Sequence, residues 1–315
     1  PISTVALDTV GVLPSAIDTK GWLLLDKPVG IGSTPCVSAV KRALRTSGYA
    51  KVKVGHGGTL DPLASGVLPI AIGEATKLAG RMLDAAKCYD FTIGFGTETD
   101  TLDAEGAVVA ASDVRPTRAQ IEAVLPRFTG TIAQVPPAYS ALKVDGARAY
   151  DLARSGATVV LAPRDVTVHA LDIVALDGDA LTLAAHVSKG TYIRSLARDI
   201  AQALGTVGHV TMLRRTRSGP FGLGAAISLD NLGAAANERD IGRHLLPIEA
   251  ALDGIPAFSL TPDQTASLRQ GRVLDGVAAA PGLYLARHGE TPVALVEAFV
   301  EFGAGSLRVV RGFNL

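Results

Sequence analysis

Apolar and polar positions alternate along this chain with two different periods, and each change of period marks an element. "GWLLLDKPVG" (21–30) is an apolar run closing on a Pro-Gly turn, which predicts a short buried strand. "TPCVSAVKRALR" has helical spacing, as does "EATKLAGRMLDAA", whereas "CYDFTIGFG" alternates as a strand. "AVVAA" predicts a further strand, and "TRAQIEAVLPRF" a helix with Thr117 as its N-cap. "RDVTVHALDIVAL" and "ALTLAAHVS" flank "DGD", a hairpin turn signal. In "KGTYIRSLARDIAQALG", Ile193, Leu196, Ala197, Ile200, Ala201 and Leu204 share one helical face, with Thr191 at the start and Gly205 at the end. After about residue 250 the pattern shortens to "GLYLARHG", "PVALVEAFVEF" and "SLRVVRGF", which suits a small separate β-rich module. Strands and helices mix without regular βαβ alternation, so the expected class is α+β around a mixed, largely antiparallel sheet flanked by helices.

Two stretches stand apart. "PISTVALDTVGVLPSAID" reads as a loose tail over residues 1–20, with no basic leader of the kind a secretion signal carries. "QVPPAYSALKVDGARAYDLARSG" (134–156) is polar and basic, opens on Pro-Pro and closes on Gly, and reads as an excursion from the core carrying a short helix.

With 315 residues, 48% hydrophobic and 19% charged, the chain is a folded protein of one or two domains. Its mean hydropathy of +0.29 comes from dispersed Ala, Val and Leu. No run approaches the roughly 20 apolar residues a membrane span needs. Cys36 and Cys88 lie far apart and in no metal spacing, which implies a reducing compartment; the expected location is cytoplasmic. Thirty basic residues balance thirty acidic ones, so only the distribution is informative. Residues 98–105, "ETDTLDAE", hold four acids and no base. Residues 187–220 hold Lys189, Arg194, Arg198, Arg214, Arg215 and Arg217 against the single acid Asp199. A polyanion would meet the second surface and avoid the first; a solvated charged face is the plain alternative.

The chemistry concentrates in "VGHGGTLDPLASGVLPIAIGEATK" (54–77). It has neither the P-loop nor the dinucleotide glycine spacing. The histidines form no H-x-x-x-H pair, and no G-x-S-x-G appears. What remains is Asp61 in a glycine-rich loop, five residues after His56. As Asp-Pro it is either a plain turn or a carboxylate nucleophile kept ionised by a cation, for which Arg194 is a candidate.

The same stretch closely resembles the signature of the TruB family of tRNA pseudouridine synthases. "GWLLLDKPVGIGST", "KCYDFTIGFGTETDTLDAEG", "QVPPAYSALKVDGARAYDLARSG" and "VSKGTYIRSLARDIAQALG" resemble further blocks of that family, in family order over about residues 21–220. The resemblance implies a pseudouridine-synthase fold over 21–250 with a thumb insertion at about 137–164. A PUA-like RNA-binding module at 251–315 is similar to the family's only in general pattern. It implies isomerisation of uridine 55 in the tRNA T arm, with no cofactor, metal, guide RNA, protein partner or membrane, by a chain acting as a monomer. Carried over by position, Asp61 is similar to the catalytic aspartate, Tyr89 to the tyrosine stacking on the flipped uracil, and Arg194 to the arginine pairing with the carboxylate. Tyr192 lies beside Arg194 in its block. His56 is similar to the histidine that enters the vacated RNA stack, Leu213 to an apolar residue of the base pocket, and Lys77 to a basic residue near the site. Arg214 and Arg215, in the most basic stretch, are expected to contact phosphates. "GIGST" departs from a serine-rich turn in the family, which bears on local RNA contacts. The rival readings are a guide-RNA-dependent uridine isomerase of the same superfamily and a non-catalytic RNA-binding or RNA-folding protein. A degenerate site is expected to have lost one of Asp61, Tyr89 and Arg194.

Overall fold

Leu23, Leu24 and Leu25 of the first strand are almost wholly excluded from solvent, because helices and a second layer cover both faces of the sheet that this strand joins. The computed structural model describes residues 20–140, 142–144, 147–155, 161–301 and 303–315. The tail expected at 1–20 therefore lies outside the described residues except for Lys20.

The chain begins with β1 (Gly21–Lys27), α1 (Ser33–Thr46), β2 (Val54–His56) and β3 (Ala64–Ile72). After a 3-10 turn at Gly73–Leu78 come α2 (Ala79–Asp84), β4 (Lys87–Phe95), β5 (Thr97–Thr99), β6 (Val108–Ala111) and α3 (Arg118–Val124). The single helix expected over 74–86 is thus split. The Thr76 hydroxyl donates to the Gly73 carbonyl three residues back and holds the first turn in the tighter 3-10 form. Thr117 caps α3 through a reciprocal pair with Gln120. β7 (Gly130–Gln134), β8 (Lys143–Val144), β9 (Ala147–Arg148) and α4 (Ala149–Arg154) follow; the last three lie in the expected insertion. Residues 141, 145, 146 and 156–160 of that insertion are outside the described residues.

β10 (Arg164–Asp177) and β11 (Ala180–Val187) form the expected hairpin, its turn made at Gly178 with φ +54°. α5 (Ile193–Ala203), β12 (Gly208–Ser218), β13 (Phe221–Gly222), α6 (Leu229–Asn237) and β14 (Leu245–Leu246) complete the first sheet and its helices. Tyr192, not Thr191, is the N-cap of α5, since the Thr191 hydroxyl turns back to the Ser188 carbonyl.

Ten strands make one sheet in the order β14-β1-β3-β12-β4-β11-β10-β7, with β2 on β3 and β13 on β12. All its pairings are antiparallel except β3–β12. That parallel junction brings two distant segments side by side at the centre of the sheet. α1 and α6 pack near β1–β3, while α5 buries Ile193, Leu196, Ala197, Ile200 and Ala201 against β4, β11 and β12.

A second, five-stranded sheet is built from β15 (Ala257–Ser259), β16 (Leu274–Asp275), β17 (Gly282–His288), β18 (Thr291–Glu301) and β19 (Ala304–Gly312), with α7 (Pro262–Arg269) beside it. It has a core of its own. It also shares one with the first sheet, where Leu285, Leu295 and Phe313 pack with Trp22, Met82 and Phe221. Among the described residues no helix is long and apolar enough to cross a membrane.

Candidate active site

β2 and β3 pair antiparallel, with His56 opposite Ile70, so the chain from 57 to 63 must reverse in a wide loop. Gly58 takes φ +140° there, a conformation that an L side chain resists. Each carbonyl from 58 to 62 then meets a donor. Arg215 donates to Gly58 O and Thr59 O, at 3.1 and 3.2 Å. The Ser33 hydroxyl donates to Leu60 O and accepts from Leu60 N–H. Ala64 N–H reaches Asp61 O, while Gly30 N–H and the Lys27 ammonium reach Pro62 O. A loop with its backbone so fully engaged presents the Asp61 side chain in one place. That side chain is 41% exposed and faces the cleft.

Arg194 stands in the first turn of α5, where the helix dipole disfavours a cation. Its surroundings offset this. Nη2 lies 2.9 Å from Asp61 Oδ2 and donates to Tyr139 O; Nη1 donates to Thr101 O and lies 3.6 Å from Asp103 Oδ2. The guanidinium is buried and surrounded by acceptors. Between Thr101 and Asp103, Leu102 is held at φ +62°, uncommon for a leucine, with its carbonyl taken by Val210 N–H. The acidic stretch read as a surface unfavourable to polyanions therefore turns two of its groups inward, onto Arg194.

Asp61 and Arg194 lie between two cavities. One, of about 300 Å³, is lined by Tyr89, Tyr192, Leu213, Leu83, Lys87 and Arg215. The other, of about 430 Å³, is lined by Asp100, Asp103, Glu105, Tyr139, Tyr150 and Arg154. Tyr89 and Leu213 pack against both main cores, so the wall of the smaller cavity is rigid. Buried Gln134 sets the backbone of Tyr192 by accepting from its N–H and donating to its carbonyl. Burial raises the pKa of the Tyr192 hydroxyl, so it stays protonated at neutral pH.

The remaining expected site residues fall elsewhere. His56 is half-buried and accepts from Gly58 N–H at Nδ1; burial, and then the charge of Arg215, lower its pKa and favour the neutral ring. Lys77 does not line either cavity. Its ammonium pairs with Glu74 at 2.6 Å and donates to Gly312 O, while Glu74 accepts from Asn314 N–H. This corrects the expectation for Lys77: it joins the C-terminal residues to the first sheet. Arg215 is also corrected. At 1% exposure it cannot face a phosphate, and its Nε, Nη1 and Nη2 donate to the carbonyls of Val67, Thr59 and Gly58. Arg214 forks onto Asp26 at 2.8 and 3.0 Å, which engages its guanidinium within the protein.

Sequence reasoning passed over Lys27, Ser33, Lys87, Asp103 and Gln134. The signal for Lys27 and Lys87 is the placing of each lysine at the buried end of an apolar strand pattern. Lys87 donates to the carbonyls of Met82, Leu83 and Ala85 at the end of α2, and burial pushes its pKa down to about 8. Between that value and the ordinary value of 10.5, the unfolded chain holds a proton that the folded protein lacks. Stability from this group therefore rises with pH across that window and is lost as pH falls through about 8. Denaturant titrations of wild type and Lys87→Met should show their stability difference shifting in favour of wild type from pH 8 to 10. A difference independent of pH contradicts the burial of this charge.

The mixed sheet carries a loop-borne carboxylate, with a buried arginine against it and a cavity lined by Tyr89 and Tyr192 beside the pair, an arrangement consistent with the resemblance to pseudouridine synthases. Residues 41–193 match the TruB family pseudouridylate synthase N-terminal domain, and residues 194–253 match the tRNA pseudouridylate synthase B C-terminal domain. Relatives named tRNA pseudouridine synthase B are 61% identical in Novosphingobium aromaticivorans, over 94% of this chain and 97% of that protein. In Zymomonas mobilis the identity is 55%, over 96% and 98%. A solved Cbf5-Nop10-Gar1 complex contains a chain 28% identical, with a TM-score of 0.72 over 93% of this chain and 85% of that one. The chain belongs to the TruB family of pseudouridylate synthases.

Proposed function

We propose that this protein isomerises uridine 55 in the T arm of tRNA to pseudouridine, with Asp61 as the catalytic carboxylate. The observation that carries the reading is the 2.9 Å contact between Asp61, exposed to the cleft, and buried Arg194. The target base must leave its stack, at a cost of about a few kcal/mol. Stacking on Tyr89 returns roughly 1–3 kcal/mol, and Leu213 and Tyr192 close the pocket. Asp61 then acts at the sugar or the ring: the N1–C1′ glycosidic bond breaks, the base turns, C5 joins C1′, and the proton lost from C5 is balanced by one gained at N1. Residues 21–250 act as the catalytic unit and 251–315 as an RNA-binding module, in a cytoplasmic monomer. The substrate assignment is supported by the names of relatives more than half identical to this chain. The Cbf5 complexes are about 28% identical and favour the guide-dependent rival less.

Mapping pseudouridine in a bare tRNA transcript incubated with the purified protein tests this directly. Modification confined to uridine 55, without added RNA or protein, is expected. Modification elsewhere, or only with a guide RNA, defeats the reading.

With Arg215 buried and Arg214 paired to Asp26, the salt-dependent part of binding is assigned to other cations. Between Asp26 and Asp61 the chain has no acid. Lys41, Arg45, Lys51 and Lys53 from this stretch line an open groove beside α1 and the strand carrying His56. Replacing Lys41, Lys51 and Lys53 with alanine should flatten the slope of log affinity against log salt by about 1–2 units. Single-turnover rate at saturating tRNA should stay the same. Filter binding at several salt concentrations gives the slope, and an unchanged slope removes this groove from the RNA interface.

A further inference from the structure

Arg215 is among the largest fully buried side chains in the protein, and among the described residues its hydrogen-bond partners are three carbonyls and no carboxylate. A buried cation without a counterion is costly to a fold, and an apolar side chain would fill the space at less cost. Its placement gives a reason for retaining it. β12 runs parallel to β3, with Arg215 level with Gly66, and antiparallel to β4, with Arg215 opposite Tyr89. The approach to β3 is so close that a Cβ on Gly66 would lie 2.1 Å from the Arg215 carbonyl oxygen. From this junction the side chain donates through Nε to Val67 O on β3, and through Nη1 and Nη2 to Thr59 O and Gly58 O on the loop. One rigid planar group therefore spans the strand beside Tyr89, the strand after Asp61, and the loop before Asp61.

We propose that Arg215 is a positioning residue for isomerisation: its guanidinium fixes residues 58–59, and through them the distance between the Asp61 carboxylate and the base held against Tyr89. The inference rests on Asp61 as the reacting carboxylate. Lysine at this position keeps the charge but cannot span both Val67 and the two loop carbonyls, because its ammonium is a single point. Displacing a reacting group by about 1 Å costs on the order of 10²-fold in rate. The charge has a second consequence, since it helps keep His56 neutral and contributes to the low pKa of Lys87.

The test compares wild type, Arg215→Lys and Arg215→Gln on the same tRNA transcript. Three quantities are needed: single-turnover rate per molecule competent to bind tRNA, Kd at several salt concentrations, and thermal midpoint. Positioning predicts a rate about 10²-fold lower in Arg215→Lys, a Kd within about threefold and an unchanged salt slope. A lower midpoint with an unchanged rate per competent molecule means that the arginine serves only the fold, and overturns the proposal. A flattened salt slope with normal rate restores a phosphate contact and also overturns it. If neither variant folds, the role is structural and the proposal fails. Wild type leaving uridine 55 unmodified in this assay defeats the functional reading itself, independently of Arg215.

Discussion

Asp61→Asn should bind tRNA within a few-fold of wild type, or slightly tighter, and lose at least about 10³-fold in single-turnover rate. The loop tolerates the change because it is held by its backbone: the donors from Arg215, Ser33, Ala64, Gly30 and Lys27 all go to carbonyls, not to the carboxylate. The asparagine oxygen can still accept from Arg194, so the cleft keeps its shape. Reactivity does not survive, because an amide is neither a nucleophile nor a base at neutral pH. Affinity is spared for an electrostatic reason as well. The carboxylate is 41% exposed on a surface that must meet a polyanion, and removing it lowers repulsion. Pre-steady-state kinetics with excess enzyme, beside filter binding, separate the two effects. A variant turning over at close to the wild-type rate removes Asp61 from the chemistry.

How far the chain could be read depended on the range of the interactions involved. The β10–β11 hairpin, the apolar face of α5 and the Thr117 cap are decided within a few residues, so their patterns were visible. Asp61, Tyr89 and Arg194 stand out only through the blocks around them, and all three line one cavity. The basic cluster at 187–220 was misread at Arg215 because a run of charges looks the same whether solvated or buried. What buries Arg215 is the parallel β3–β12 pairing, joining segments about 150 residues apart, and no local period announces it. Lys77 failed for the same reason, since its carbonyl partner belongs to Gly312, in the last strand. The acidic loop was read as an outer surface, yet Asp103 and the carbonyl of Thr101 turn inward to Arg194.

Arg194→Lys, formally conservative, should lower turnover by about 10²–10³-fold, the equivalent of roughly 3–4 kcal/mol. Wild-type Arg194 uses Nη2 for Asp61 and Tyr139 O, and Nη1 for Thr101 O, with Asp103 at 3.6 Å. These acceptors diverge around a plane, which a guanidinium fork matches and a lysine ammonium does not. A lysine that follows Asp61 leaves Thr101 O and Asp103 without their donor in a buried position. One that follows Asp103 leaves Asp61 uncompensated, and the carboxylate moves from the place where a base in the cavity would meet it. Either way the loss falls on the reacting group, because 8% exposure keeps this side chain from acting as a surface phosphate contact. Kd for tRNA should therefore change by less than about threefold, with an unchanged salt slope. If turnover holds while Kd weakens and the slope flattens, Arg194 acts on the RNA backbone. The ion pair with Asp61 would then belong to the free protein alone, opening when tRNA enters the cleft.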